Sequence, residues 1–510
     1  MEISNKGYVV IALLVIGALV GGYMGISKKY GKELKGLQKE TEQKAALGDV
    51  KTYTFIVNTW TGWAGGAYKN RGFKANTQSE WYQNDGFAVE LKLMDDFDAS
   101  RAAFKSGEGD FLWCTVDALP TEMETGSGLT TVDPKFFFQT DWSRGGDAIV
   151  VTKNITTVAD LKGKSIAFAQ TTPSHSLLIN TLDAAGMKMS DVTFVKVGNA
   201  IEAAKLFQAG KVDAAVVWSP DDQDCVTSVP DAHVLVSTKD ASYIIADGFL
   251  VRADFLAQHQ DDIKKIVKGW LEANGQINND DKAKREAAKY LAEGLGVSES
   301  WAYDGINKTR LATFGDNRQF FGIDPGAPVT AAQLYTRMSG KYSELGFVKE
   351  PERWASVVSD VAVNVEYEKT AKNIAEAAPK FEAPSKEVQN EKAVASKPLS
   401  ISFATNAYQL DLAAKNTIDN EFVPNAKQFA RTAYIRIEGN TDNTGNYANN
   451  VTLSKLRANA VKDYLVKSYN WPAERFIVKG NGPDKPLCKD GSVECLASNR
   501  RTDFELVLQK

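Results

Sequence analysis

Asp442 ends the strand-like run IRIEGNTDNTG, and Arg457 follows fifteen positions later on the amphipathic stretch NNVTLSKLRANAVKDYLVKS. A carboxylate and a guanidinium held together can grip a zwitterion: the acid accepts from an ammonium while the arginine clamps a carboxylate through parallel N–H bonds. The same two charges can equally form a structural ion pair, and spacing alone does not decide between them. A second set of polar side chains gathers in the turns NTWTGWAGG, TVDALP, AQTTPSHS and WSPDDQ, each at the end of a predicted strand. Ligands of open α/β folds bind at such carboxyl ends. By position the cleft candidates are Thr59, Trp60, Trp63, Thr115, Asp117, Thr171, Thr172, Ser174, Trp218 and Asp221. Hydroxyl-rich turns that open helices, as TTPSHS does, can cradle an anion on backbone N–H groups. Asp117, Asp221 and Asp222 favour an amine or a cation instead, and a zwitterion would satisfy both. Each candidate also has a structural alternative, since tryptophans can pack a hinge and threonines can cap helices.

Several chemistries are excluded. The histidines His175, His233 and His259 lie far apart, and the cysteines Cys114, Cys225, Cys488 and Cys495 form no CxxC or mixed Cys/His pattern, so no metal site is expected. Cys488 and Cys495 flank the short loop KDGSVE, where a disulfide forms in an oxidising compartment or two thiols remain reduced; Cys114 and Cys225 are expected to be unpaired. No hydrolase elbow, HExxH or dinucleotide fingerprint occurs. The GKS at 163–165 lacks the first P-loop glycine, Val158 standing in its place, and it leads into a strand. Neither a cofactor nor an enzymatic activity is expected. A net charge of −4 gives no electrostatic reason to expect nucleic acid.

The elements that must position these residues begin with Gly7–Ile26, a run of twenty residues free of charged side chains. At about 1.5 Å rise per residue it can cross a hydrocarbon core of about 30 Å. Tyr8 and Tyr23 bracket it as interfacial aromatics do. The competing reading is a cleaved signal peptide, because Val9–Val20 has the length of its apolar region; the run continues past Val20 without a small-x-small site, which favours an anchor. Gly17, Gly21 and Gly25 give two overlapping GxxxG spacings, either a homodimer face or the glycine common in membrane spans. Lys28, Lys29, Lys32 and Lys35 follow the span, and a positive-inside count alone would leave the bulk of the chain cytoplasmic.

Beyond the anchor (1–28), residues 29–50 read as a polar helical stalk. From 51 to 365 strands such as YTFIVNTW, AVELKLM, GDFLWCTV, GDAIVV, KSIAFA and DAAVVW alternate with helical segments, which predicts an α/β fold with mainly parallel sheet. Residues 366–398, rich in Ala, Lys, Glu and Pro, read as a linker reaching about 100 Å extended or about 30 Å as a coil. Residues 399–510 form the last domain.

The runs GNTDNTG, NVTLSKLRANAV, RFIVKGNGPDKP and NRRTDFEL, in that order and spacing, resemble the OmpA-like peptidoglycan-binding domain over about 110 residues. The resemblance implies an α+β domain (βαβα-β, one sheet backed by helices) that holds the diaminopimelate of the peptide stem. Asp442 would take its ammonium and Arg457 its carboxylate, with Asn450 and Leu453 beside them and Arg501 in the NRR element. The family usually has histidine where this chain has Asn440. Stator proteins with a similar anchor-plus-OmpA layout carry an intramembrane carboxylate; the span here has no Asp or Glu, which argues against an ion-driven motor subunit.

In the middle of the chain TWTGWAGG, FKSGEGDFLWCTVDALP, GGDAIVVTKNITTVADLKGKSIAFAQTTPSHSLL, AAKLFQAGKVDAAVVWSPDD and ADGFLVRADFL resemble periplasmic solute-binding proteins of the nitrate/sulfonate/taurine ABC-transporter type. That implies a two-lobed periplasmic-binding-protein fold, lobe 1 from 51–145 plus 248–365 and lobe 2 from 146–247, closing on a small polar ligand. The expectation is a non-enzymatic receptor in the periplasm, anchored in the inner membrane, attached to the cell wall and serving a membrane transporter or sensor. The alternative is a structural membrane-to-wall tether whose binding-protein domain contacts a protein partner. A wall-binding domain overrides the lysine count, because long domains translocate largely regardless of charge.

Overall fold

The structure is a computed structural model and describes residues 45–126, 128–399, 401, 403, 407–429 and 431–508. The expected span Gly7–Ile26, with Gly17, Gly21 and Gly25, and the stalk as far as residue 44 lie outside the described residues. Among the described residues no helix is long and apolar enough to cross a membrane.

Eleven strands build the two lobes: β1 (Thr52–Val57), β2 (Ala88–Leu93), β3 (Phe111–Thr115), β4 (Pro134–Ser143), β5 (Asp147–Val151), β6 (Ser165–Ala169), β7 (Thr193–Val197), β8 (Ala214–Trp218), β9 (His233–Ser237), β10 (Ala246–Arg252) and β11 (Thr309–Leu311). One sheet has the order β11-β4-β10-β3-β1-β2 and the other β7-β6-β8-β5-β9. Helices cover both faces, so central strands are apolar throughout; β3 and β5 are buried at every position. The sheets are mixed rather than mainly parallel. β1 runs parallel to β2 and β3, and β6 parallel to β7 and β8, but β10 opposes β3 and β4 while β5 opposes β8 and β9. The cause is connectivity: the chain crosses to the second lobe between β4 and β5 and returns between β9 and β10, so β5 and β10 run against their neighbours. The first sheet regains the chain at Ala246, two residues before the expected 248.

The two crossovers lie side by side. Ser143 N donates to Ile245 O (3.1 Å), Thr238 N to Asp147 O (2.9 Å), and Gly145 N to Thr238 Oγ1 (2.8 Å). Lobe 1 is held by an aromatic core in which Phe55 stacks on Phe111 (4.2 Å) and meets the edge of Phe249 (4.8 Å), with Trp270 fully buried beside them. The helix Pro173–Ala184 starts from an N-cap at Thr172 with proline in its first turn, and it is buried on nearly every side. A helix apolar or buried all round lies between layers; here Ser176 Oγ and Tyr342 Oη share a 2.9 Å hydrogen bond that ties it to lobe 1.

Residues 366–398 depart from the expected free linker. Gly315 N donates to Asn373 O (2.5 Å), Thr313 Oγ1 to Ile374 O (2.9 Å), and Glu376 pairs with Arg144 and Arg431 (3.0 Å each). A segment poor in apolar side chains is thus bound by its backbone and its charges. Its last residues form β12 (Ala395–Leu399), which joins β13 (Ala433–Asn440), β14 (Phe476–Gly482) and β15 (Thr502–Leu508) in a sheet of order β12-β15-β13-β14. The last domain therefore starts before residue 399, and its expected βαβα-β pattern gains this leading strand. The long helix Tyr447–Tyr469 covers the sheet so closely that a Cβ on Gly439 would lie 2.1 Å from Ser454 O. Cys488 and Cys495 are joined by a disulfide (Cα–Cα 5.6 Å), and Cys114 and Cys225 are buried and free.

The last domain is docked rather than independent. Val158 N donates to Val394 O (3.0 Å), Tyr243 N to Gln428 O (3.3 Å), and Arg337 Nη2 to Asp183 (3.0 Å) while the same guanidinium reaches Asn425.

Candidate functional site

Strand register assembles the interlobe site. β10 sets Asp247 opposite Thr115 of β3 on one side and Asp141 of β4 on the other, and β5 sets Asp147 opposite Trp218 of β8. Asp147 is the first residue of β5 and Asp247 the second of β10, the two strands that run against their neighbours, so their N-terminal ends meet the C-terminal ends of β1, β3 and β8. Between them lies a cavity of about 20 Å³ lined by Asn58, Trp60, Trp113, Thr115, Asp147, Pro173, Trp218, Ile245 and Asp247.

Four aspartates are buried here: Asp117, Asp141, Asp147 and Asp247. Trp60 Nε1 donates to Asp141 Oδ1 (3.2 Å), Thr140 Oγ1 to Asp141 Oδ2 (2.9 Å), Ser143 Oγ to Asp147 Oδ2 (2.6 Å), and Ala246 N to Asp117 Oδ1 (3.4 Å). Burial pushes the carboxyls of Asp117, Asp141 and Asp147 up to about 7, despite these hydrogen bonds. Asp247 is raised well above the usual range by burial and then by repulsion from Asp141, Asp147 and Asp117. Gly62 permits this crowding, since a Cβ there would lie 1.8 Å from Asp141 Oδ2 and 2.6 Å from Trp60 Nε1.

Of the ten cleft candidates, the cavity brings together Trp60, Thr115 and Trp218, with Asp117 buried and hydrogen-bonded to the start of β10. The others are used elsewhere. Thr59 binds Asp95 through its N–H (2.6 Å) and hydroxyl (2.9 Å). Trp63 is core: its Nε1 donates to Asn58 O (2.9 Å) and its ring packs on Phe249. Thr171 holds a left-handed turn (φ 59°) and Thr172 caps the helix that follows. Ser174 is buried with its hydroxyl unpartnered, and Asp221 opens a helix on the second lobe without lining the cavity. Asn58, Trp113, Asp141, Asp147 and Asp247 were missed. For Asp147, Asp247 and Trp113 the available signal is an acid or tryptophan set in an otherwise apolar buried strand, as in GDAIVV, ADGFL and FLWCTV.

In the last domain Asp442 lies just beyond the C-terminal end of β13, with Oδ1 accepting from Thr444 N (3.0 Å) and Oδ2 from Arg500 Nη1 (2.7 Å). Burial would raise this carboxyl, but the bonds from Thr444 and Arg500 outweigh it and hold it below the usual range. Asn450 Nδ2 donates to Thr444 O (2.9 Å), which fixes the turn, and Leu453 is half-buried on the long helix. Arg457 forms no ion pair among the described residues; its Nε donates to Ala407 O (3.1 Å) and its guanidinium lies 4.9 Å from the Phe403 ring. Burial, and then the nearby Arg500, lower its pKa. Arg457, Arg500, Arg501, Asn440 and Phe403 line a cavity of about 370 Å³. Arg501 is locked to Asp503 through Nε and Nη2 (2.8 Å each), so Arg500, the neighbour that the sequence did not single out, is the residue that touches Asp442. Asn440 Nδ2 donates to Asp503 Oδ2 (2.9 Å), a structural use. Among the described residues no group of His, Cys, Asp or Glu is placed to hold a metal.

Residues 402–500 match the OmpA family, and residues 72–282 match the NMT1/THI5 like family. Outer membrane protein Omp38 of Acinetobacter baumannii is 39% identical over 93 residues, which cover 17% of this chain and 26% of that protein. A protein of Escherichia coli (strain K12) named for binding aliphatic sulfonates is 42% identical over 76 residues, 14% of this chain and 24% of its own length. The chain thus spans about a quarter of the length of these curated relatives. The crystal structure of the periplasmic aliphatic sulphonate binding protein SsuA from Escherichia coli overlays on 60% of this chain and 97% of that one, at 18% identity and a TM-score of 0.48. The chain joins an NMT1/THI5-like segment to an OmpA-family segment.

Proposed function

We propose that this chain, built from those two segments, is a non-enzymatic solute-binding protein of the periplasm tethered to peptidoglycan, with a small polar ligand held between its lobes. The observation that carries the tether is Arg457, a guanidinium without an acidic partner among the described residues, at the wall of a cavity of about 370 Å³. A ligand carboxylate would supply the missing charge, while Asp442, held ionised by Thr444 and Arg500, would receive an ammonium. Diaminopimelate offers both groups at one end. Asn450 and Leu453 would shape the turn and helix beside it, and Arg501 would keep the cavity wall rigid through Asp503. Gly7–Ile26 would anchor the chain in the inner membrane, with Gly17, Gly21 and Gly25 as its face toward a second copy, and the cleft would serve a transporter or sensor held near the wall.

The test is co-sedimentation with purified sacculi. Wild type should pellet, and Asp442→Ala and Arg457→Ala should remain in the supernatant; equal pelleting of all three removes the site. A second reading is favoured by the interlobe cavity, whose volume of about 20 Å³ suits a closed domain that contacts a protein partner. Native mass measurement of the purified chain separates the two, because a receptor retains a small molecule and a tether does not.

A further inference from the structure

We propose that the interlobe site takes a small organic ammonium ion, one with a neutral hydroxyl beside its charged nitrogen, rather than a sulfonate or another anion. The inference rests on the solute-binding reading and names its substrate class. The cavity is lined by two aspartates and three tryptophans, with no Lys, Arg or His among its lining residues. Lys308 is occupied nearby: its Nζ donates to Ser219 Oγ (2.6 Å) and pairs with Asp222 (3.1 Å). Asp147 and Asp247 therefore line the cavity without a cation beside them, with Asp117 and Asp141 buried close by, an arrangement that is unfavourable when the carboxyls ionise unpaired.

An independent sign of a ligand is the set of buried polar atoms left without partners. Asn58 Oδ1 is an unpartnered acceptor, and Asp247 Oδ2 has no donor from another residue type, its side chain meeting only the Asp141 carboxyl with which it can share a proton; Asn58 and Asp247 both line the cavity. Asp247 is 5% exposed, so water does not satisfy it from outside. An ammonium supplies the donors these oxygens lack and the charge that Asp147 and Asp247 need. Indole rings add attraction for a desolvated cation. The indole N–H groups of Trp113 and Trp218 are also unpartnered. A hydroxyl oxygen on the ligand can accept from them without bringing a negative charge beside the aspartates. A sulfonate would use the same donors but would face the carboxyls with like charge. A metal ion is not the occupant this geometry fits, because no described acidic group is arranged to hold one.

The volume sets the size. About 20 Å³ is room for one water-sized centre. The closed lobes hold the ammonium head alone, and a substituted ammonium requires them to part about the crossovers at 144–146 and 238–245.

Isothermal titration of the full-length protein tests this with matched two-carbon compounds: cationic ethanolamine, zwitterionic taurine and anionic isethionate, with methylammonium as an ammonium that lacks the hydroxyl and choline as a hydroxyl-bearing cation that lacks N–H donors. Ethanolamine should bind at least about tenfold more tightly than taurine or isethionate, and more tightly than methylammonium or choline; methylammonium binding as tightly overturns the hydroxyl, and choline binding as tightly overturns the N–H donors. Asp247→Asn should weaken ethanolamine binding at least about tenfold while the ligand-free protein melts as a folded domain. Tighter binding of taurine or isethionate overturns the ammonium assignment and leaves the solute-binding reading standing. Amine binding that survives in both Asp247→Asn and Asp147→Asn overturns the site. No binding by any of the five compounds overturns the ammonium assignment, and retention of some other small molecule in native mass measurement then shows whether the solute-binding reading falls with it.

Discussion

The interlobe cavity and the cavity beside Arg457 both gather charged side chains, and they solve the problem of burying them in opposite ways. Around Asp442 every carboxylate oxygen has a donor, one of them the Arg500 guanidinium, and the acid is held ionised. Between the lobes Asp147 and Asp247 line a cavity with three tryptophans and no lining cation, Asp117 and Asp141 are buried close by, and burial holds the carboxyls toward the protonated state. The first arrangement is complete except at Arg457, which has no acidic partner among the described residues. The second relieves its crowding by protonation, and a cationic ligand, as proposed above, would offset the same charge.

The contrast predicts that wall attachment is the more fragile property. Removing one partner of a buried, hydrogen-bonded charge pair costs about 2–5 kcal/mol of binding. Asp442→Ala or Arg457→Ala should therefore weaken binding to sacculi by about thirtyfold or more, with amine titration of the cleft unchanged. Loss of both activities together would mean that the two regions are not separate sites.

Acid removal should have opposite signs in the two regions. At pH 8 Asp147→Asn or Asp141→Asn should raise the stability of the ligand-free protein by about 1–3 kcal/mol, because an uncompensated buried charge disappears. Asp442→Asn should lower it by about 1–2 kcal/mol, because Arg500 then loses a charged partner. Thermal melts of the three variants read this directly, and a fall in Tm for the cleft variants would show that their carboxylates are already compensated.

The pH dependence follows with a definite sign. Asp117, Asp141 and Asp147 have folded pKa values raised from the ordinary 3.8 to about 7, so the folded protein binds protons more tightly than the unfolded chain. Their contribution to stability is full below about pH 4 and is lost as pH rises through about 7. The other charged groups at this seam are Asp247, raised in the same direction, and the Asp222–Lys308 pair. The Tm of the ligand-free protein should fall from pH 5 to pH 8, and the stabilisation by a bound amine should grow over the same range. Asp442 is shifted the other way, so its contribution is present at neutral pH and lost on acidification.

The C-terminal candidates lie closer together in the sequence than the cleft candidates for a physical reason. Asp442, Asn450, Leu453 and Arg457 lie on one turn and the helix that follows it, so local pattern locates them. What it missed, Arg500 rather than Arg501 on Asp442, depends on which way two adjacent arginines point at the start of β15. The cleft draws on residues from Asn58 to Asp247. Looking at the carboxyl ends of parallel strands found Trp60, Thr115 and Trp218. It could not find Asp147 and Asp247, which enter from the opposite ends of the two crossover strands, since strand direction is a property of the connections and not of the apolar pattern. The alternation of apolar runs marked both lobes for the same reason that it left the mixed character of their sheets unread. Residues 366–398 read as a free linker because they lack apolar side chains, while what docks them is backbone and the Glu376 carboxylate between Arg144 and Arg431.

The most direct measurement is competition on sacculi by free diaminopimelate, made with the full-length protein and with Arg457→Ala. Wild type should pellet with the wall and be released as diaminopimelate is added, and Arg457→Ala should stay in solution throughout. Pelleting of Arg457→Ala at the wild-type level, or wild-type pelleting that free diaminopimelate leaves untouched, would contradict a wall tether built on this pair.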